Sequence, residues 1–116
     1  MTGPGPGGLK NPQGNHLITV ATAAAMTARS RSQNPNAIRG WLFDRRALDA
    51  LLEQPGCAGI RIYRALKDDG REQLVLVGTD DMANDILPAT VDGKGVVAEL
   101  GWPCPPMCGA ASVVGG

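Results

Sequence analysis

Gly59-Ile60-Arg61-Ile62-Tyr63-Arg64-Ala65-Leu66-Lys67-Asp68-Asp69-Gly70-Arg71-Glu72-Gln73-Leu74-Val75-Leu76-Val77-Gly78 reads as two strands joined by a tight turn. In the first half Ile60 and Ile62 alternate with Arg61 and Tyr63, which gives a strand two different faces. Lys67-Asp68-Asp69-Gly70-Arg71 is the turn, because Asp-Gly supplies the positive φ that short hairpins need. The return strand runs from Gln73 to Gly78. Its Leu74-Val75-Leu76-Val77 run does not alternate with polar residues, so it is expected to be covered on both faces and to lie centrally in its sheet.

Working outward, Asp44 is placed to cap a helix over Arg45–Gln54, with Ala47, Leu48, Leu51 and Leu52 on one face. Pro55-Gly56 ends it, Gly56 being suited to the left-handed position after a helix. Ile38–Phe43 upstream is a short apolar run that suits a strand or an extended entry segment. Downstream, Thr79–Pro88 is an acidic loop, Val91–Gly95 a second turn and Val96–Leu100 a third strand. Further upstream, Asn15 is the expected cap of a first helix whose apolar stripe holds Leu17, Val20, Ala21, Ala24, Ala25 and Ala28. Asn34-Pro35-Asn36 stops this helix. A rival reading takes Lys10 and the uncharged run after it as an export signal, although Thr and Ala dilute that run. The fold class expected from this order is α+β, a small two-layer domain with a mainly antiparallel sheet and two helices on one face.

Of the 16 glycines and 9 prolines, eight fall in residues 1–14 and seven in 101–116, leaving ten for the 86 residues between. Both residue types resist regular structure, Gly through backbone entropy and Pro through its missing donor. A flexible segment 1–14, a single domain over 15–100 and a Cys/Pro-rich tail over 101–116 follow from that distribution. With 116 residues, only one small domain is affordable in core terms. Eleven basic and 11 acidic side chains leave no formal charge, which argues against a nucleic-acid or anionic-membrane binder. No stretch approaches the roughly 20 apolar residues of a membrane span.

Cys104-Pro105-Pro106-Met107-Cys108 is the most unusual local sequence. Its spacing lets two sulfurs reach one metal or each other, and an odd cysteine total leaves disulfide and free thiols both open. Zinc asks for about four ligands, so the candidate set is Cys104, Cys108, Cys57 and His16. The plainer alternative is a proline-stiffened tail that packs Trp102 and Met107 onto the body. Asp80, Asp81, Asn84 and Asp85 gather oxygen ligands as a calcium loop would, but without the EF-hand spacing. The lone His16, the turn-borne pairs Asp68/Asp69 and Asp80/Asp81, and the absence of phosphate-cradling glycine motifs offer no catalytic constellation. Neither a catalytic residue nor a cofactor is expected.

Two resemblances bear on function. Val113-Val114-Gly115-Gly116 looks like the ends of ubiquitin-like proteins and sulfur carriers, which implies a β-grasp sheet and an activated carboxylate. More widely, Gly59–Tyr63, Gln73–Gly78 with Asn84-Asp85, and Pro103–Cys108 together resemble small uncharacterised bacterial proteins that share the hairpin and a Cys-Pro-Pro-x-Cys ending. That resemblance covers roughly residues 40–108 and implies a bacterial origin, with no activity, substrate or cofactor. The function expected is a non-enzymatic interaction or self-assembly protein, in the cytoplasm unless the export reading holds. Its partner would be a second copy or another protein, met through Ala21, Ala24, Ala25, Ala28 and Trp102. The alternatives are a thiol or metal module on Cys104 and Cys108, and a diglycine carrier.

Overall fold

A computed structural model describes residues 16–88, 97–98 and 101–116. These residues fall into two compact units, one from Phe43 to Gly101 and the other from residues 16–42 with 102–116. The element order is helix α1 (Val20–Gln33), strand β1 (Gly40–Leu42), helix α2 (Arg45–Leu52), strands β2 (Gly59–Leu66) and β3 (Glu72–Thr79), then β4 (Val97–Ala98) and β5 (Trp102–Cys104). Helix and antiparallel strand coexist throughout, so the chain is α+β.

The first unit is built on the hairpin. β2 and β3 pair antiparallel from Gly59↔Thr79 to Leu66↔Glu72, and β4 joins the far side of β3 through Leu76↔Ala98 and Val77↔Val97. The turn is closed by Gly70 N–H to Lys67 O (2.8 Å) and Lys67 N–H to Arg71 O (2.9 Å), with Gly70 at φ +85°. That is a three-residue loop ending in a left-handed residue, and Asp-Gly meets its demand. β3 is central as its unbroken apolar run implies: Leu76 and Val77, neighbours that face opposite sides of the sheet, are both buried.

Helix α2 begins where Asp44 accepts the Arg46 N–H at 2.8 Å. It ends at Leu52, two residues short of the expected Gln54, because Glu53 caps it through Asp49 O and Gln54 folds its side-chain amide back onto Leu51 O at 3.1 Å. Leu51 is fully buried, at 0 % exposure, which alone supplies about 1.5–3 kcal/mol of transfer free energy. Leu52, expected on the same face, is instead exposed. The helix lies against all three strands of this sheet. Its C-terminal end covers Gly78, where any Cβ would meet Gln54 Nε2 at 2.7 Å and Cys57 Sγ at 3.1 Å. Gly78 is therefore required by close approach. On the other face of β3, the buried Gln73 donates its amide to Gly101 O at 3.1 Å.

The second unit joins segments distant in sequence. β1 pairs antiparallel with β5, Gly40↔Cys104 to Leu42↔Trp102, rather than with the hairpin. The tail residues 102–104 thus form a strand. α1 starts at Val20, capped by the Thr19 hydroxyl, which accepts the Thr22 N–H at 3.0 Å. Asn15, the expected cap, and segment 1–14 lie outside the described residues, as does the turn Val91–Gly95. His16 at φ +64° cannot continue a helix toward the N-terminus. No α1 residue is fully buried. The less exposed side runs through Ala23, Ala24, Thr27 and Arg31, so most of the expected alanine stripe faces outward. None of the described helices is long and apolar enough to cross a membrane.

Candidate functional site

In the second unit Cys104 and Cys108 are joined by a disulfide, with 4.8 Å between their Cα atoms. The peptide bonds before Pro105 and Pro106 are both cis. The loop is closed further by Met107 N–H to Pro103 O at 2.9 Å and Cys108 N–H to Pro106 O at 3.0 Å. Arg39, just ahead of β1, ties this loop to the rest of the unit. Its backbone N–H donates to Cys104 O at 2.6 Å, its Nη2 lies 3.5 Å from Cys108 Sγ, and its Nη1 donates to Gly115 O at 3.2 Å.

A hollow of about 400 Å³ opens beside the disulfide. Trp41, Leu42 and Met107 give it an apolar wall, and Arg39 and both cystine halves complete it. The Trp41 indole N–H is buried without an acceptor, a cost of about 1–3 kcal/mol for a stranded donor. Val113–Gly116 folds back rather than projecting. Gly116 N–H donates to Ser112 O at 2.9 Å, Gly115 N–H to the Ser112 hydroxyl at 2.8 Å, and Arg31 Nη1 to Val114 O at 2.7 Å.

The expected metal ligands occupy separate roles. Both Cys104 and Cys108 sulfurs are engaged in the disulfide, the buried Cys57 thiol donates to Gly59 O at 3.3 Å, and His16 is exposed. Among the described residues no group of three His, Cys, Asp or Glu side chains is placed to hold a metal ion. Of the expected interaction residues, Ala21, Ala25, Ala28 and Trp102 are exposed and Ala24 is half-buried.

The acidic loop of the first unit is organised by its own hydrogen bonds. Asp80 accepts the N–H groups of Met82 (2.9 Å) and Asn84 (2.8 Å) and the Asn84 amide (3.1 Å). The Asn84 backbone bond is the first reason its carboxyl is held below the usual range, and the Asn84 side chain the second. Asp85 accepts from Arg61 Nη1 at 2.6 Å and from the Tyr63 hydroxyl, while Arg61 Nη2 reaches Ala83 O at 3.1 Å. Bonding to Tyr63 first and Asp85 second raises the Arg61 guanidinium above its ordinary value. Arg61 and Tyr63 sit two apart on one face of β2, the spacing already visible in the sequence.

Net charge conceals how the two units differ. All 11 Asp and Glu residues lie between Phe43 and Gly101, against seven Lys and Arg there, a formal charge of −4. Residues 16–42 and 102–116 hold Arg29, Arg31 and Arg39 and no Asp or Glu, a side-chain charge of +3, and Lys10 carries the remaining +1. Counting charge over the whole chain hides this, and only the knowledge that residues 16–42 and 102–116 fold together exposes it. Comparison with protein-family models, with curated proteins and with solved structures finds no match.

Proposed function

We propose that the chain is a non-enzymatic bacterial protein that assembles with copies of itself, the cationic unit of one copy meeting the acidic unit of the next. The segregation of +3 and −4 into separate units is the observation that carries this reading. Opposite potentials on two patches of one molecule favour a head-to-tail contact, which forms a ring where the rotation closes and a filament where it does not. A whole-chain charge of zero leaves no long-range repulsion to oppose association.

Apolar surface supplies the complementary term. Among the described residues the buried apolar set is Leu51, Cys57, Leu76 and Val77, whereas Val20 is 64 %, Ile62 58 % and Leu66 72 % exposed. β2 ends its sheet, and no described strand pairs with its outer edge. The odd-numbered residues of β2 continue the bonded phase of Lys67 and Arg71, so Ile60, Ile62, Arg64 and Leu66 turn their backbone groups outward. A partner strand would satisfy them.

Sedimentation velocity on the full chain at about 20 mM and 500 mM salt tests the proposal. Association at low salt that weakens at high salt is the expected result, since a charge contact between exposed patches is screened within about 10 Å at 0.1 M. A monomer at millimolar concentration in both buffers overturns it. Cross-linking of mixed ¹⁴N- and ¹⁵N-labelled chains distinguishes contact between copies, which gives hybrid pairs, from contact within one chain, which does not and also overturns it.

A further inference from the structure

We propose that Cys104–Cys108 is a thiol–disulfide exchange centre, opened by a dithiol and activated by Arg39. Three observations converge on it. Arg39 Nη2 stands 3.5 Å from Cys108 Sγ, so a cation is already in place where a thiolate would form. The unit around it contains Arg29, Arg31 and Arg39 and no Asp or Glu, so every charged side chain described in that unit is a cation. Both sulfurs belong to residues lining a hollow of about 400 Å³, which gives an incoming sulfur a route to them. A positive, partly exposed surrounding is what lowers a thiol's pKa and makes its thiolate a good leaving group and a good nucleophile.

The step balances as follows. One thiolate of the dithiol attacks Cys104 Sγ from the hollow and forms a mixed disulfide. The S–S electron pair leaves on Cys108 Sγ, whose charge the Arg39 guanidinium receives. The dithiol's second thiolate then attacks its own sulfur in the mixed disulfide. Cys104 Sγ departs and takes up a proton, and the dithiol leaves as its disulfide. Two electrons enter the protein, and the dithiol loses two electrons and two protons. In reverse, the Cys104 thiolate attacks a disulfide partner to form the mixed disulfide, and the Cys108 thiolate then attacks Cys104 Sγ, closing the cystine and releasing the partner as its dithiol. Arg39 acts here as a positioning and charge-stabilising residue; Cys104 and Cys108 are the reacting groups.

Two measurements on the full-length chain test this. The first is the rate at which dithiothreitol opens the disulfide at pH 7, followed by alkylation and mass. Arg39→Gln is expected to slow opening by about fivefold to tenfold, and Arg39→Lys to restore most of the rate. Equal rates in parent and Arg39→Gln, or a disulfide that survives hours in 10 mM dithiothreitol, overturn the proposal. The second uses Cys104→Ser, which leaves Cys108 free, and reads the pH midpoint of iodoacetamide alkylation at the Cys108 peptide. The expected midpoint lies below the usual thiol value of about 8.5 and returns toward it on adding Arg39→Gln. A midpoint at or above 8.5, unmoved by Arg39→Gln, overturns it. Cys57 is separated from Cys108 by peptide mapping. If Cys104→Ser does not fold, by far-ultraviolet circular dichroism, the dithiothreitol rates on the intact cystine decide alone.

Discussion

Replacing Gly78 with alanine presses directly on the packing of α2 over β3. The new Cβ would lie 2.7 Å from Gln54 Nε2, 3.1 Å from Cys57 Sγ and 3.3 Å from Leu51 O. An unstrained contact needs about 3.4 Å, so the Gln54 amide must retreat by roughly 0.7 Å. That retreat breaks its 3.1 Å bond to Leu51 O, at about 0.5–1.5 kcal/mol. The sulfur and the Leu51 carbonyl must also yield, and both belong to buried residues, which places the whole substitution in the range of about 1–3 kcal/mol for an overpacked core. Loss of glycine's freedom in the unfolded chain returns about 0.4–1 kcal/mol. The net expectation is a destabilisation of about 1–2 kcal/mol. Urea unfolding followed by far-ultraviolet circular dichroism reads it, with Gly40→Ala as control, since nothing stands within 4 Å of a Cβ there. Adding Gln54→Ala to Gly78→Ala should recover part of the loss, because it removes the nearest obstacle. A Gly78→Ala protein as stable as the control would mean that the end of α2 does not rest on β3.

Leu51→Ala should cost about 3–5 kcal/mol, the upper range for a fully buried leucine, again by urea unfolding; a loss below 1 kcal/mol would refute its place at the centre of the first unit. Trp41→Phe removes the stranded indole N–H together with one ring of a half-buried side chain, so relief of about 1–3 kcal/mol should offset most of the packing lost, and a net loss above about 3 kcal/mol by urea unfolding would show that the N–H has an acceptor. The Asp80 carboxyl is held below its unfolded value, so its contribution is present above about pH 4 and disappears as pH falls through the folded value. Asp80→Asn should therefore flatten the acid limb of a stability–pH curve, and an unchanged limb would remove Asp80 from that account.

The hairpin was legible because everything that specifies it is local. Asp69-Gly70 states the turn, and the contrast between an alternating and a continuous apolar strand states which one lies inside. Asp44 was legible for the same reason, since its capping bond spans two residues. The first helix was misread at its start because Asn15 and Thr19 both suit a cap and both precede the same run of residues. The left-handed backbone at His16 settles the choice in favour of Thr19. Pairing of β1 with β5 depends on residues about 60 positions apart, and no local pattern in Ile38–Phe43 names its mate. The cysteine spacing allowed a bridge without requiring one. Arg39 carries no signal as a site residue in the sequence, because an arginine before a short strand belongs to no motif. Its meaning comes from Cys108 and Gly115, which only folding brings to it.

The interleaving of the two units sets an order of events during synthesis. Every pairing residue of the hairpin leaves the ribosome as one uninterrupted piece, so the first unit can assemble as soon as it emerges. β1, by contrast, is made early and must wait for Trp102–Cys104, a delay of roughly 3–12 s at 5–20 residues per second. Throughout that interval Arg39 and Trp41 have no mate, and a nascent-chain-binding factor would find them before Cys104 and Cys108 do.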